Sequence, residues 1–332
     1  MDYRAIISTL CYFNIFDYPL TKFEIWKFLF QKNSGGDNNV SLFQIEQMLK
    51  KLKEKNIAKE KNGFYYLNAD EKHPDIIRTR IKRNRIAEQK YKKALRIIKI
   101  LRCIPTIKMI AVCNTLSYNN AKESSDIDLF IITKEKNIWL SRLLAVSILK
   151  ILNLRPKPNN SSDKICASFF VSENNSDLEK IQITPPFHKG EDGGFYIKNN
   201  PLPFDIYLIY WIATLVPIYN KEKTYEKFMD KNLWIKKYLP NADLYLTSPE
   251  KNLTSKKSLL YFIFYFSIFI IPEKLAKKIQ LIVMPKNLRQ MSNKDTKVIL
   301  NNSMLKFHDK DRREEYYNKW AEIIRKNNRM KL

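Results

Sequence analysis

Apolar positions recur at helical spacing from Ala5 to Phe13, which predicts a first helix. In "DYPLTKFEIWKFLF", Thr21 is placed to cap a second helix and Glu24 to reach back to it, the capping-box arrangement. "VSLFQIEQMLKKLKEKN" repeats the device, with Ser41 as cap and Leu42, Ile45, Met48, Leu49 and Leu52 as one apolar stripe. The period then changes. "IAKEKNGFYYL" reads as two short strands joined by a turn at Asn62-Gly63, a dipeptide that accepts the positive φ a tight hairpin needs.

A long helix is predicted next, over residues 71–103, from Ile77, Ile81, Tyr91, Ala94, Ile98 and Leu101. It carries twelve Lys and Arg against three acids, so one face packs and the other is cationic. From 106 to 171 strands and helices alternate. "IKMIAVC" and "DIDLFIIT" read as strands, "NIWLSRLLAVSILKILN" as a helix and "KICASFFVS" as a strand, a mixed α/β core. "TPPFHKGEDGGF" reads as an exposed loop from its Pro and Gly density. It resembles the translation of a mobile genomic repeat and is assigned no chemistry. From Pro203 onward the expectation is mostly helix, including "PFDIYLIYWIATLVPIY" as one buried helix and "TYEKFMDKNLWIKKYLPN" after it.

Composition narrows the class. The chain has 332 residues, 45% of them hydrophobic, enough for a sizeable core and for two or three units. Its net charge of +25 attracts polyanions such as nucleic acid, nucleotide or an anionic membrane surface, and the basic N-terminal half is where nucleic acid could bind. Compositional drift toward Lys, Asn and Ile produces the same charge with no ligand in view. Cys11, Cys103, Cys113 and Cys166 lie far apart with no CxxC spacing and read as reduced core residues, so a Cys/His zinc site is not expected. The N-terminus lacks the features of a signal peptide. The most apolar run, "LLYFIFYFSIFII", is shorter than the ~20 residues a spanning helix needs. The expectation is a cytoplasmic protein with no transmembrane segment.

The candidate chemistry lies in "AVCNTLSYNNAKESSDIDLFIIT". Strand side chains alternate, so Asp126 and Asp128 share a face about 7 Å apart while Ile127 and Leu129 point the other way. Two such carboxylates can clamp one hard divalent cation or two, and Mg²⁺ shared with substrate phosphates fits. Ser124 and Ser125 can bond backbone groups and hold the preceding loop. The plain alternative is an edge strand with both aspartates in water. Asp205 in "PFDIYL" reads as an N-cap. "FHDKDRREEYYNKW" reads as a helix start with ordinary ion pairs, or more sharply as a nucleotide contact.

"NTLSYNNAKESSDIDLFIIT" resembles the nucleotidyltransferase motif of the DNA polymerase β superfamily, a Gly-Ser turn opening a short helix and an Asp-x-Asp strand about ten residues on. The resemblance covers roughly residues 100–175. Residues 1–70 resemble a winged helix, with a Gly35-Gly36 connection longer than a tight helix-turn-helix. The whole layout is similar to uncharacterised bacterial proteins that join these two parts to a helical C-terminal half. The fold class implied is α+β: a winged-helix-like domain (1–70), a basic connecting helix (71–105), a nucleotidyltransferase-like mixed sheet with flanking helices (106–200) and a helical C-terminal region (201–332).

The resemblance implies an NTP substrate and a Mg²⁺ site, one ion or two, at Asp126 and Asp128 as the catalytic pair. It implies nucleotide contacts from Asn114, Thr115 and Ser125. Two positions depart from the motif. Asn114-Thr115 replaces Gly-Ser, although Asn tolerates positive φ and Thr keeps a hydroxyl. On the later strand Ser168 or a neighbour stands where a third carboxylate is expected, with Asp163 and Glu173 only at the strand ends. The expected activity is transfer of a nucleoside monophosphate to a hydroxyl or phosphate acceptor. The alternative is a catalytically degenerate version serving as a DNA-binding regulator or nucleotide sensor.

Overall fold

The computed structural model describes residues 3–31, 40–68, 75–157, 160–183, 204–244, 261, 264–266 and 271–329. The Gly35-Gly36 connection, the "TPPFHKGEDGGF" loop and most of the apolar run at 259–271 lie outside them.

Helices α1 (Tyr3–Asn14), α2 (Lys22–Lys27) and α3 (Leu42–Glu54) open the chain. Both predicted capping boxes form: Thr21 Oγ accepts from Glu24 N, and Ser41 Oγ from Gln44 N, with the Glu and Gln side chains closing each box. The stripe of α3 packs inward through Ile45, Met48, Leu49 and Leu52, while Leu42 remains exposed. Strands β2 (Ala58–Lys61) and β3 (Phe64–Leu67) meet at Asn62 and Gly63, both left-handed. A two-residue strand β1 (Leu20–Thr21) adds to β3 and makes a three-stranded antiparallel sheet.

The long helix α4 (Ile76–Leu101) leads into a six-stranded mixed sheet. Its strands are β4 (Ile107–Val112), β5 (Ile127–Thr133), β6 (Ile165–Ser172), β7 (Val216–Asn220), β8 (Val298–Leu300) and β9 (Met304–Phe307), in the order β7-β4-β5-β6-β9-β8. Among the described strands only β5 and β6 run parallel, joined through α6 (Ile138–Ile151). The sheet is covered on both faces, which is why its central strands read as continuous apolar runs. Ile127, Leu129 and Ile131 face a core shared with α4 and α6. Phe130 and Ile132 face the larger core, shared with α1–α3, α7 (Ile206–Ala213) and α8 (Thr224–Lys231). Two short helices, α9 (Glu273–Ile282) and α10 (Lys286–Met291), lie before β8. The helix α11 (Arg313–Arg329) follows β9 and packs against α1 through Trp320, whose indole donates to Ser8 O at 3.0 Å.

Three expectations are corrected. The region after 201 is not simply helical, because it supplies β7, β8 and β9 to the sheet. The predicted single helix over "PFDIYLIYWIATLVPIY" ends at Ala213, and "VPIYN" is the edge strand β7, a position where the missing N–H of Pro217 is tolerated. Ile81 does not join the buried face of α4 and is exposed.

Candidate metal centre

Asp128 sits on β5 and Asp126 just ahead of it, with the same parity as Phe130 and Ile132. Both are half-buried. Beside them on the parallel strand is Cys166, register partner of Asp128. The ligand atoms of Asp126, Asp128 and Cys166 all lie within 4.8 Å of one another. The third member of the cluster is therefore a thiol, and it is Cys166 rather than Ser168.

The cause is a bulge. Asp128 pairs with Cys166 and Phe130 with Phe169, so β6 uses one more residue than β5 between these points. Ser168 instead meets His308, Oγ to Nε2 at 3.1 Å. Asp163 is ion-paired to Lys90 and Lys93, and neither it nor Glu173 belongs to the cluster. Cys166 is also the exception among the four free cysteines, since the other three are buried as expected.

Asn114 opens the four-residue helix α5 (Asn114–Ser117) with φ +58, the conformation expected where a glycine would otherwise stand. Its side chain is bonded on both sides. Nδ2 donates to Asp128 Oδ2 at 2.6 Å, and Oδ1 accepts from Tyr207 OH at 3.0 Å and Trp211 Nε1 at 2.9 Å, both from α7. Thr115 is half-buried in α5, where its carbonyl accepts from Asn120 N. Ser125 turns its hydroxyl to Lys122 O at 2.8 Å, so it holds the loop as anticipated.

Lys90 is a site residue that the sequence reading counts only as one of the basic helix's cations. This residue of the basic helix is buried, and Nζ donates to Glu123 O, Ser125 O and Asp163 Oδ1 at 3.2, 2.7 and 2.7 Å. It therefore fixes the turn that delivers Asp126. Amphipathic spacing could flag position 90, because it falls on the apolar side of α4.

Burial pushes both carboxyls up. Asp128 reaches about 7, with the charge of Asp126 adding to desolvation and the Asn114 amide opposing it. Asp126 is raised by desolvation, against the charge of Lys90. The Cys166 thiol is raised well above its ordinary value by burial and then by Asp128 and Asp126. Two mutually repelling carboxyls in a partly desolvated place favour a cation. Their oxygens suit a hard divalent ion such as Mg²⁺; the sulfur of Cys166 is a poor ligand for it.

A cavity of about 280 Å³ opens beside Asp128, lined by Asn114, Cys166, Tyr207, Trp211 and the segment from Lys306 to Arg313. "FHDKDRREEYYNKW" therefore reaches the site, and it also forms ion pairs. Arg313 meets Asp311 at 2.8 Å and Asp205 at 3.1 Å, and Lys306 meets Asp311 at 2.7 Å, all nearly inaccessible. Asp205 also caps α7 by accepting from Leu208 N, as expected. Desolvation and the Lys306 charge push the His308 imidazole down to about 3, so the ring is neutral. Lys310 and Arg312 remain exposed at the cavity wall. No helix among the described residues is long and apolar enough to cross a membrane. Set against family models, curated proteins and solved structures, the chain matches none.

Proposed function

We propose that this protein is nucleotidyltransferase-like, binding an NTP with a divalent cation at Asp126 and Asp128 and transferring its nucleoside monophosphate to a hydroxyl or phosphate acceptor. The observation that carries the reading is the same-face carboxylate pair on β5, set against a left-handed residue that opens a short helix from the neighbouring strand. Bound there, the cation would neutralise the triphosphate and favour in-line attack. The chain's own groups supply the rest. Asn114 fixes the rotamer of Asp128, Lys90 fixes the turn before Asp126, and Lys310 and Arg312 line a cavity wide enough for phosphates.

One observation favours a second reading. The third position is a thiol whose raised pKa keeps it protonated near neutrality, so it is a poor general base. A domain that retains a nucleotide without turning it over fits that chemistry. Residues 1–70 would then be a winged-helix-like DNA contact through the exposed Lys50, Lys51, Lys53 and Lys55 of α3 and its C-cap. Calorimetry with ATP or CTP plus Mg²⁺ tests the shared premise, with Asp126→Ala and Asp128→Ala expected to abolish binding. Wild-type affinity in both variants refutes it. Transfer of label from α-³²P NTPs separates turnover from retention.

A further inference from the structure

Helix α4 carries ten basic residues and one acid, Glu88. The basic residues divide by direction. Arg80 pairs with Glu24 and lies over the Tyr18 ring, Arg83 pairs with Asp17, and Lys90 holds the loop before Asp126. With Lys93, which pairs with Asp163, these three tie α4 to the rest of the molecule. Arg78, Lys82, Arg85, Lys92, Arg96 and Lys99 are all exposed.

Their spacing is regular. Positions 78, 82, 85, 92, 96 and 99, with Gln89 completing the series, advance by three or four residues. At about 100° per residue all seven fall within roughly 100° of arc, opposite the buried face of Ala87, Ala94 and Ile98. From 78 to 99 the stripe runs about 32 Å at 1.5 Å per residue. Arg78 pairs with Asp75 and Lys82 with Glu123 at the surface. Arg85, Lys92, Arg96 and Lys99 have no ion-pair partner among the described residues. Like charges at these separations repel, so the helix holds the stripe against its own stability. The hollow beside its first half, about 560 Å³, is lined by Arg78, Lys82 and Arg85 and by Glu123 and Ser162 of the facing loops.

We propose that this stripe is a track for the sugar-phosphate backbone of a nucleic-acid strand. At the ~3.4 Å per charge of one strand of a duplex, the stripe spans about nine stacked nucleotides and sets only positive charge against them. An anionic membrane fits less well, because the apolar face that would enter lipid is packed against the sheet. The track passes the 123–125 loop that Lys90 ties to α4, immediately ahead of Asp126. The surface is separate from the α3 lysines and does not depend on the nucleotidyltransferase reading.

The test uses the full chain and fluorescently labelled single-stranded RNA and DNA of about 20 nucleotides, long enough to cover the track. The variant R85Q/K92Q/R96Q/K99Q changes only exposed side chains, and an unchanged melting curve verifies its fold. Wild type is expected to bind at least one of the two, with affinity falling steeply with salt. The variant should bind about tenfold or more weakly, and its salt slope should flatten by about 3, four cations at ~0.7 each. Comparing the RNA and DNA arms identifies which backbone is preferred. Equal affinity and slope in wild type and variant overturn the proposal. So does loss confined to K50Q/K51Q/K53Q/K55Q, and so does stripe-dependent binding to phosphatidylserine vesicles with none to either oligonucleotide. Mg²⁺–ATP binding in the same variant reports on the Asp126–Asp128 site separately.

Discussion

Asn114 combines two demands that substitution can separate. Its backbone must be left-handed, and its side chain bonds Asp128 on one side and Tyr207 and Trp211 on the other. Asn114→Gly keeps the first and removes the second. A hydrogen bond to a charged acceptor contributes about 1.5–3 kcal/mol, and the stranded tyrosine and indole donors add up to roughly 1 kcal/mol, since both line a cavity that water can enter. The expected loss is about 2–4 kcal/mol. Asn114→Ala loses the same bonds and adds an L-residue at φ +58, costing about 1–2 kcal/mol, partly offset because alanine loses less chain entropy than glycine. Alanine should therefore fall about 0.5–1 kcal/mol below glycine. Urea denaturation followed by tryptophan fluorescence gives the order wild type, glycine, alanine. A glycine variant as stable as wild type would refute the reasoning and make Asn114 a steric occupant of a turn built for something smaller. Loss of the amide should also lift the Asp128 carboxyl further, which carboxyl NMR would register.

Cation binding should strengthen as pH rises through about 7 and level off above it, because the raised Asp128 carboxyl must lose its proton first. Below that pH each unit should weaken affinity up to about tenfold, and a flat calorimetric profile from pH 5.5 to 8 would contradict the assignment. Cys166→Asp should tighten Mg²⁺, because it places an oxygen ligand where the cluster has sulfur, whereas Ser168→Asp should not. Lys90→Met should destabilise the chain by about 2 kcal/mol by stranding the 123–125 carbonyls, as denaturation midpoints would report. Arg313→Met should cost about 3–5 kcal/mol by leaving Asp205 buried without its cation and Asp311 with Lys306 alone, and Arg313→Lys should restore little of it. Against burial that would raise it, Arg313 and Lys306 hold the Asp311 carboxyl well below its usual range. Its contribution is therefore complete above about pH 4 and is lost as pH falls below that, which acid titration of wild type against Arg313→Met would detect.

The legible parts of the fold were those written in local chemistry. Thr21 and Ser41 announced their helices because a cap needs only its own first turn, and Asn62-Gly63 announced the hairpin because positive φ restricts the residue choice. Asp126 and Asp128 were legible because alternation fixes their common face. The rest depended on partners far along the chain. β7 reads as helix from the sequence because "VPIYN" continues an apolar run, and its place at the sheet edge is what makes it a strand. Cys166 was missed because counting along β6 assumes regular register and the bulge breaks it. Lys90 looked like one more surface cation, since nothing nearby in sequence shows that the 123–125 loop folds back onto α4.

The indole of Trp320 bonded to the carbonyl of Ser8 joins positions 312 residues apart. The core that encloses α1–α3 also takes in α7, α8 and residues from β9 and α11. A nascent chain thus releases its first helices long before the side chains that cover them exist. Until Met304 and Trp320 leave the ribosome, the apolar faces of α1 and the helices beside it lack their cover. Closing so long a loop is intrinsically slow, and a segment exposed for that interval is where a holding chaperone would act. For the same reason, a fragment ending near residue 70 would present as surface what the whole molecule keeps as interior, and any adhesion it showed would report that exposed interior rather than a native partner.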